Sequence, residues 1–515
     1  MSEQIDVVSR LFFGRDDAEH DIADGLLSVS FLPTIAYDEA LSGRKTLIIG
    51  RKGSGKSAIC MHLAAQGYRP GSTVLITPDE AVGEEFNRFA VDGLTDEGSK
   101  ALIWRFIFAL QAARFLVDHL QADHPKHVPA SAKALKRFLR DNGEVDDGSL
   151  HERVARASRM LGTSISLEAF GVKVAIGANK VELHISPTKQ LEIIESAVQH
   201  AFSDLKCQNA HPPLLIIVDQ LEQIWKNDRE SDAMIVGLLL AGKHTALTYG
   251  RSLRCINFLR TDIYDALEFS EADKFHSDEV RIDWTDGLLR QLALRRAEAS
   301  LGHPVTDTEM WGTIFPHAVA GEDTPRYLFS RVLPRPRDAI QFLNLCRDKA
   351  HANGNAQITE QDVIEATLPF SHWKVLDLAR EYRMTLPFLR EVLIVFENSG
   401  FELTRLGIAE RFAPFRATLS DKFPASADIF DPDIIIDILH GVGFLGVRRG
   451  GTIIYANGAQ SGIRPTETEF IIHPCFRPYL NATNARRLEV INIVTGHNVG
   501  VVVQGNDISG DTRFR

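Results

Sequence analysis

The stretch TLIIGRKGSGKSAIC, residues 46–60, constrains this chain more than any other. Thr46 to Ile49 read as a short buried strand that runs into basic residues set among glycines, then into Lys-Ser. Gly50, Gly55, Lys56 and Ser57 satisfy G-x-x-x-x-G-K-[ST]. Residues from Lys56 through Ala64 read as a helix, so the glycines fall at a strand-to-helix turn, the context this motif needs. Glycines there let successive backbone N–H groups converge on phosphate oxygens, and the helix N-terminus adds partial positive charge. The candidate nucleotide-binding segment is therefore Gly50, Arg51, Lys52, Gly53, Ser54, Gly55, Lys56, Ser57 and Ala58. Lys56 would reach the β- and γ-phosphates and the Ser57 hydroxyl would ligate Mg²⁺. The plainer alternative is a Gly/Ser-rich surface turn, which would not need a strand before it and a helix after it.

Such a loop needs an acid at the end of a second strand. PPLLIIVDQLEQIW supplies one: Leu214 to Val218 is an unbroken apolar run, as a strand buried on both faces requires. Asp219 follows at its C-terminal edge, where open α/β sheets bind ligands, and is the second candidate for Mg²⁺. Many ATPases carry Glu at the next position to orient the attacking water; this chain has Gln220, which cannot act as a base. Glu222 could take that role, or it could be a solvated carboxylate favoured by a helix dipole. Slow hydrolysis is expected, with the nucleotide state acting more as switch than as fuel.

Two arginines complete the candidate set. RCINFLRTDIYDAL predicts a third strand over Cys255–Leu259, and Arg260 at its end could pair with the γ-phosphate. RPRDAIQFLNLCRDKAHANG starts an amphipathic helix with Ile340, Leu343 and Cys346 on one face. A cation at a helix start opposes the dipole and so suggests a partner, which makes Arg337 the candidate reaching back from a lid.

The bulk numbers fit a soluble, multi-domain protein. The chain has 515 residues, 44% hydrophobic and 24% charged, enough for about two to four domains. A net charge of −11 argues against coating nucleic acid non-specifically. The 5 cysteines are scattered with no C-x-x-C, so disulfides and a zinc site are not expected. No signal-peptide profile and no apolar run of membrane-spanning length is present, so a cytoplasmic location without membrane contact is expected.

Taken in order, FFGRDDAEHD, GRKGSGKS, LLIIVDQLE, FLRTD and RPRDAI resemble the AAA+/STAND class of P-loop ATPases over roughly residues 10 to 370. The resemblance implies a P-loop parallel-sheet core of α/β class with a helical lid. It places Phe13, Gly14 and Arg15 beside adenine, makes FLRTD a sensor-1 position, and makes RPRDAI similar to the sensor-2 arginine of origin-recognition-like ATPases. It implies ATP and Mg²⁺ as cofactors. Lys274 and Arg281 are merely available as trans-acting fingers, so ring assembly is not expected, though a homo-oligomer stays open.

The expected domains are a core over 1–285 with an insertion near 123–210, a helical lid over 286–371, a winged-helix-like domain over 372–485 and a tail over 486–515. Within the insertion, TSISLEAFGVKVAIGANKVELHI alternates in period two and suggests a hairpin or meander. The helix–helix–hairpin order after 372 suggests the winged helix, its third helix starting at Asp431-Pro432, ending at Gly441 and Gly443, with Arg448 and Arg449 at the wing tip. That third helix is acidic and apolar, and basic and acidic residues balance over 372–515, so DNA binding is not favoured there. The tail, EVINIVTGHNVGVVVQGNDISGDTRFR, is β-prone, free of Pro and nearly uncharged before Asp507; it is a stackable segment or a terminal hairpin. VVVQGND resembles RHIM-like amyloid motifs, which implies an effector protein as partner.

The function expected is a nucleotide-controlled signalling switch, with a defence role implied by the resemblance alone. The alternative is an ATP-dependent DNA-binding protein akin to an origin-recognition or loader factor. A small-molecule kinase would not account for the lid and the C-terminal module.

Overall fold

In the computed structural model the described residues are 7–65, 72–123, 128–144, 149–162, 165–171, 185–205, 214–456 and 462–484. The core is a five-stranded parallel sheet: β1 (Leu47–Gly50), β2 (Thr73–Ile76), β3 (Leu214–Val218), β4 (Leu253–Arg260) and β5 (Glu279–Arg281), in the order β2-β3-β4-β1-β5. Every residue of β1 and β3 is buried, because each strand is covered on both faces. Ile48, Leu215 and Ile217 face one apolar cluster with Ile59 and Leu63 of the helix Lys56–Ala65. Leu47, Ile49, Ile216 and Val218 face a second cluster, built with the helices Asp96–Asp123 and Arg229–Tyr249. The α/β class expected from the apolar runs is the one found.

The strand order positions the site. β4 lies between β1 and β3, with Gly50 opposite Arg260 and Val218 opposite Asn257. The C-terminal ends of the P-loop strand, the Asp219 strand and the Arg260 strand therefore form one edge.

Where it is described, the 123–210 insertion is helical: Ala130–Asp141, Leu150–Gly162 and Pro187–Asp204, all in contact with Asp96–Asp123. The alternating segment lies largely outside the described residues, and within its described stretch 165–171 the residues Glu168–Phe170 form a 3₁₀ turn. The longer helices between β5 and the C-terminal module are Asp286–Leu301, Thr324–Ser330, Pro336–Ala352 and Glu360–Glu381, with a two-stranded ribbon of β6 (Ala318–Val319) and β7 (Glu322–Asp323). Glu360–Glu381 is continuous across residue 371, where the composition changes, and carries Pro369 inside it. The lid and the C-terminal module thus share a helix.

The C-terminal module contains the helices Leu389–Ile394, Arg405–Lys422 and Pro432–Gly441. Its antiparallel sheet comprises β8 (Glu402–Thr404), β9 (Leu445–Arg449), β10 (Thr452–Tyr455) and β11 (Glu469–Ile472), in the order β10-β9-β11-β8. Asp431 caps the third helix by accepting from the Asp433 N–H, with Pro432 at the first helical position. Gly450 and Gly451 both have positive φ, as a two-residue hairpin turn between β9 and β10 demands. Arg448 and Arg449 are not at a free tip: they lie in β9 and pair with carboxylates, Arg448 with Glu402 and Glu469, Arg449 with Glu467. Among the described residues no helix is long and apolar enough to cross a membrane, and the tail from residue 485 lies outside them.

Candidate functional site

The turn between β1 and the helix Lys56–Ala65 depends on glycine. Gly53 and Gly55 have φ of +79° and +94°, and a Cβ on Gly53 would lie 3.1 Å from the Cβ of Arg337. Lys56 is buried, and its Nζ donates to the Gly50 and Arg51 carbonyls at 2.8 and 3.0 Å. Burial lowers its pKa; the carboxylates of Glu222 and Asp219 oppose that shift. Ser57 hydrogen-bonds Asp219, which is buried at the end of β3. Burial raises the Asp219 pKa against the Gln220 N–H, the Ser57 hydroxyl and the Lys56 charge. The fold thus brings Lys56 and Ser57 together with Asp219, although the two stretches lie far apart along the chain.

Around them runs a charged cleft. Arg15, Asp16, Asp17, Glu19 and Asp21 line one wall; Lys52, Gly53, Gly55, Lys56, Ser57 and Ala58 form the floor; Glu222, Arg296, Pro336, Arg337 and Ile340 complete it. An adjoining recess is mainly apolar, lined by Leu27, Phe31, Leu32, Ile59, Trp284, Leu292 and Pro336. Trp284 is held there by its Nε1–H donating to the Ser54 carbonyl at 2.9 Å.

The structure places the other sequence candidates as follows. Arg260 does not line the cleft. It forms a two-point pair with Asp262 at 3.0 and 2.6 Å and donates to the Glu381 carbonyl at 3.1 Å, because a carboxylate two residues on captures it first. Phe13 is wholly buried against Phe315 and so is not a face for adenine. Gly14 does not line the cleft either: its φ is +110°, its carbonyl accepts from Asn344, and a Cβ would collide with the buried Asp21–Arg296 pair. Arg15 reaches the rim but pairs with Asp24. The Arg51 side chain leaves the cleft and donates to the Gly441 carbonyl at 2.8 Å, at the end of the helix Pro432–Gly441. Arg337 does line the cleft, its Nε donating to the Asp16 carbonyl at 2.8 Å. Lys274 and Arg281 pair with Glu271 and Asp265.

Comparison with known proteins adds the following. Residues 287–379 match the family described as the FunZ-associated C-terminal helical domain. The chain is 22% identical over 493 residues to an 80.3 kDa protein of Escherichia coli (strain K12) named for transposon gamma-delta, covering 91% of this chain and 67% of that one. Among solved structures, Aeropyrum pernix ORC1 in complex with DNA is similar at 14% identity and a TM-score of 0.33, covering 87% of this chain and 89% of that one. Aeropyrum pernix ORC2, in ADPNP–ADP complexes, is similar at 14% identity and a TM-score of 0.33, covering 89% and 92%.

The residues that sequence reasoning missed are mostly partners of the ones it found. Arg335, two positions before Arg337, is 6% exposed and bridges the Lys52 carbonyl at 3.0 Å to Glu381 at 2.6 Å. Burial raises the pKa of a lone carboxyl, but the Arg335 charge dominates and holds Glu381 below the usual range, with Arg51 and Arg260 adding to it. The signal was present in RPRDAI, where either arginine could have been the functional one.

Proposed function

We propose that this chain binds ATP with Mg²⁺ in the cleft over Lys56 and acts as a nucleotide-controlled switch with slow hydrolysis. The observation that carries the reading is that Lys56, Ser57 and the lid residue Arg337 line one cleft, with Asp219 hydrogen-bonded to Ser57. The residues fit a triphosphate: the turn needs positive-φ glycines, a buried ammonium stands at a helix N-terminus, and an apolar recess adjoins for a base. Ser57 and Asp219 would hold Mg²⁺, which neutralises charge on the β- and γ-phosphates.

The switch reading is supported by where the loop's neighbours lead. Lys52 is tied to the lid through Arg335, and Arg51 to the C-terminal module through Gly441. A change in the loop therefore acts on both. Assembly with an effector through residues 490–515 and a role in bacterial defence extend the reading and rest on the resemblance. DNA binding by the C-terminal module is the less favoured reading, because Arg448 and Arg449 are paired with carboxylates. Sizing the protein with ADP and with a non-hydrolysable ATP analogue, with and without DNA, separates these readings. A larger species with the analogue alone is expected; a species formed only with DNA would favour the loader reading.

A further inference from the structure

The strand end that would carry a water-orienting carboxylate carries Gln220 instead. Its Nε2–H donates to the Oε1 of Glu19 at 2.8 Å, and its own Oε1 accepts from Gln223. That chain of bonds sets which end of the amide faces Glu19. Glu19 lines the same cleft as Lys56 and Ser57. It stands on the helix Ala18–Ala23, which contacts the helix Lys56–Ala65 and is tied down twice: Asp17 caps its start, and Asp21 pairs with buried Arg296.

We propose that Glu19 supplies the carboxylate that position 220 lacks, with Gln220 as its positioning residue. The inference rests on the ATP reading above. One Glu19 oxygen is engaged by Gln220, which leaves the second oxygen to accept from water. In hydrolysis the water oxygen bonds to the γ-phosphorus while its proton passes to Glu19. The bond from γ-phosphorus to the β–γ bridging oxygen breaks, and its electron pair stays on ADP. The proton then passes to solvent, leaving ADP and inorganic phosphate. Glu222 lines the cleft too, but it is exposed on the short turn Leu221–Gln223, whereas Glu19 is held on an anchored helix. A base acts best when its geometry is fixed by neighbours.

The test uses the full chain, with phosphate release and calorimetric binding of a non-hydrolysable ATP analogue measured on each variant. Glu19→Gln is expected to slow release by roughly 10²-fold or more, the usual share of a general base, with analogue affinity unchanged. Retained affinity also shows that the variant is folded. Exchanging the pair, Glu19→Gln with Gln220→Glu, is expected to restore part of the release, which a merely structural role would not do. Undiminished release in Glu19→Gln, or a larger loss in Glu222→Gln, overturns the assignment. Wild-type protein that binds the analogue but releases no phosphate from ATP overturns it while leaving the nucleotide reading standing. Failure of the wild-type protein to bind at all removes that reading as well.

Discussion

At the residue scale, Lys56, Asp219, Arg335 and Glu381 are charged residues buried at or near the phosphate loop, and the partners of a buried charge decide its cost. Lys56→Ala removes the buried ammonium at the floor of the cleft; affinity for ATP is expected to fall at least about tenfold by calorimetry, and wild-type affinity would refute the nucleotide reading. Glu381→Ala leaves Arg335 buried without its carboxylate. Chemical denaturation should show a loss of about 3–5 kcal/mol, the usual result of breaking one side of a buried pair. His473 is buried, accepts from the Cys475 N–H, and is held neutral, its pKa pushed down to about 3 from 6.5 by burial and by Arg477, Arg51 and Arg335. The unfolded chain binds the proton that the folded chain refuses. His473 therefore contributes stability above about pH 6.5 that is lost as pH falls toward 3; His473→Gln should flatten that part of the stability profile. Lys56, Ser57 and Asp219 were legible because each stands beside a recognisable run. Glu19 was not, and RPRDAI alone does not say which of its arginines is buried, since the partners of Glu19 and Arg335 lie 201 and 46 positions away.

At the element scale, the strands were legible because β1 and β3 are buried on both faces and so read as unbroken apolar runs. Caps fix where the flanking helices begin. Asp228 and Ser231 form a reciprocal cap on Arg229–Tyr249, the helix that covers one face of the sheet. Asp228→Ala should cost about 1 kcal/mol, read as a shift in the denaturation midpoint. Thr359 and Asp362 do the same for Glu360–Glu381, and Asp362 also accepts from Asn353 and Asn355. In the insertion, one alternating segment points toward strands, yet the helices Ala130–Asp141 and Leu150–Gly162 beside it are strongly amphipathic and pack on Asp96–Asp123.

At the scale of the whole molecule, core, lid and C-terminal module meet at the phosphate loop. Arg51 and Lys52 are adjacent in sequence, yet one contacts Gly441 and the other Arg335. Arg51→Ala should leave nucleotide affinity near wild type, because its side chain points away from the cleft. It should weaken the effect of nucleotide on hydrogen exchange in the helix Pro432–Gly441. An unaltered effect would show that the modules are coupled by another route. Deleting residues 490–515 should likewise spare ATP binding and abolish any nucleotide-dependent assembly seen by sizing.

The sequence by itself determined the phosphate loop, the strand bearing Asp219 and the α/β class, because those are local patterns: a glycine turn between strand and helix, and apolar runs of strand length. Only the tertiary structure decided that Arg260 serves Asp262 rather than the cleft, that Arg335 is the buried bridge, and that Glu19 stands against Gln220. A charged side chain pairs with whichever opposite charge the fold brings within reach, and that neighbour is set by strand order and helix packing, not by position along the chain.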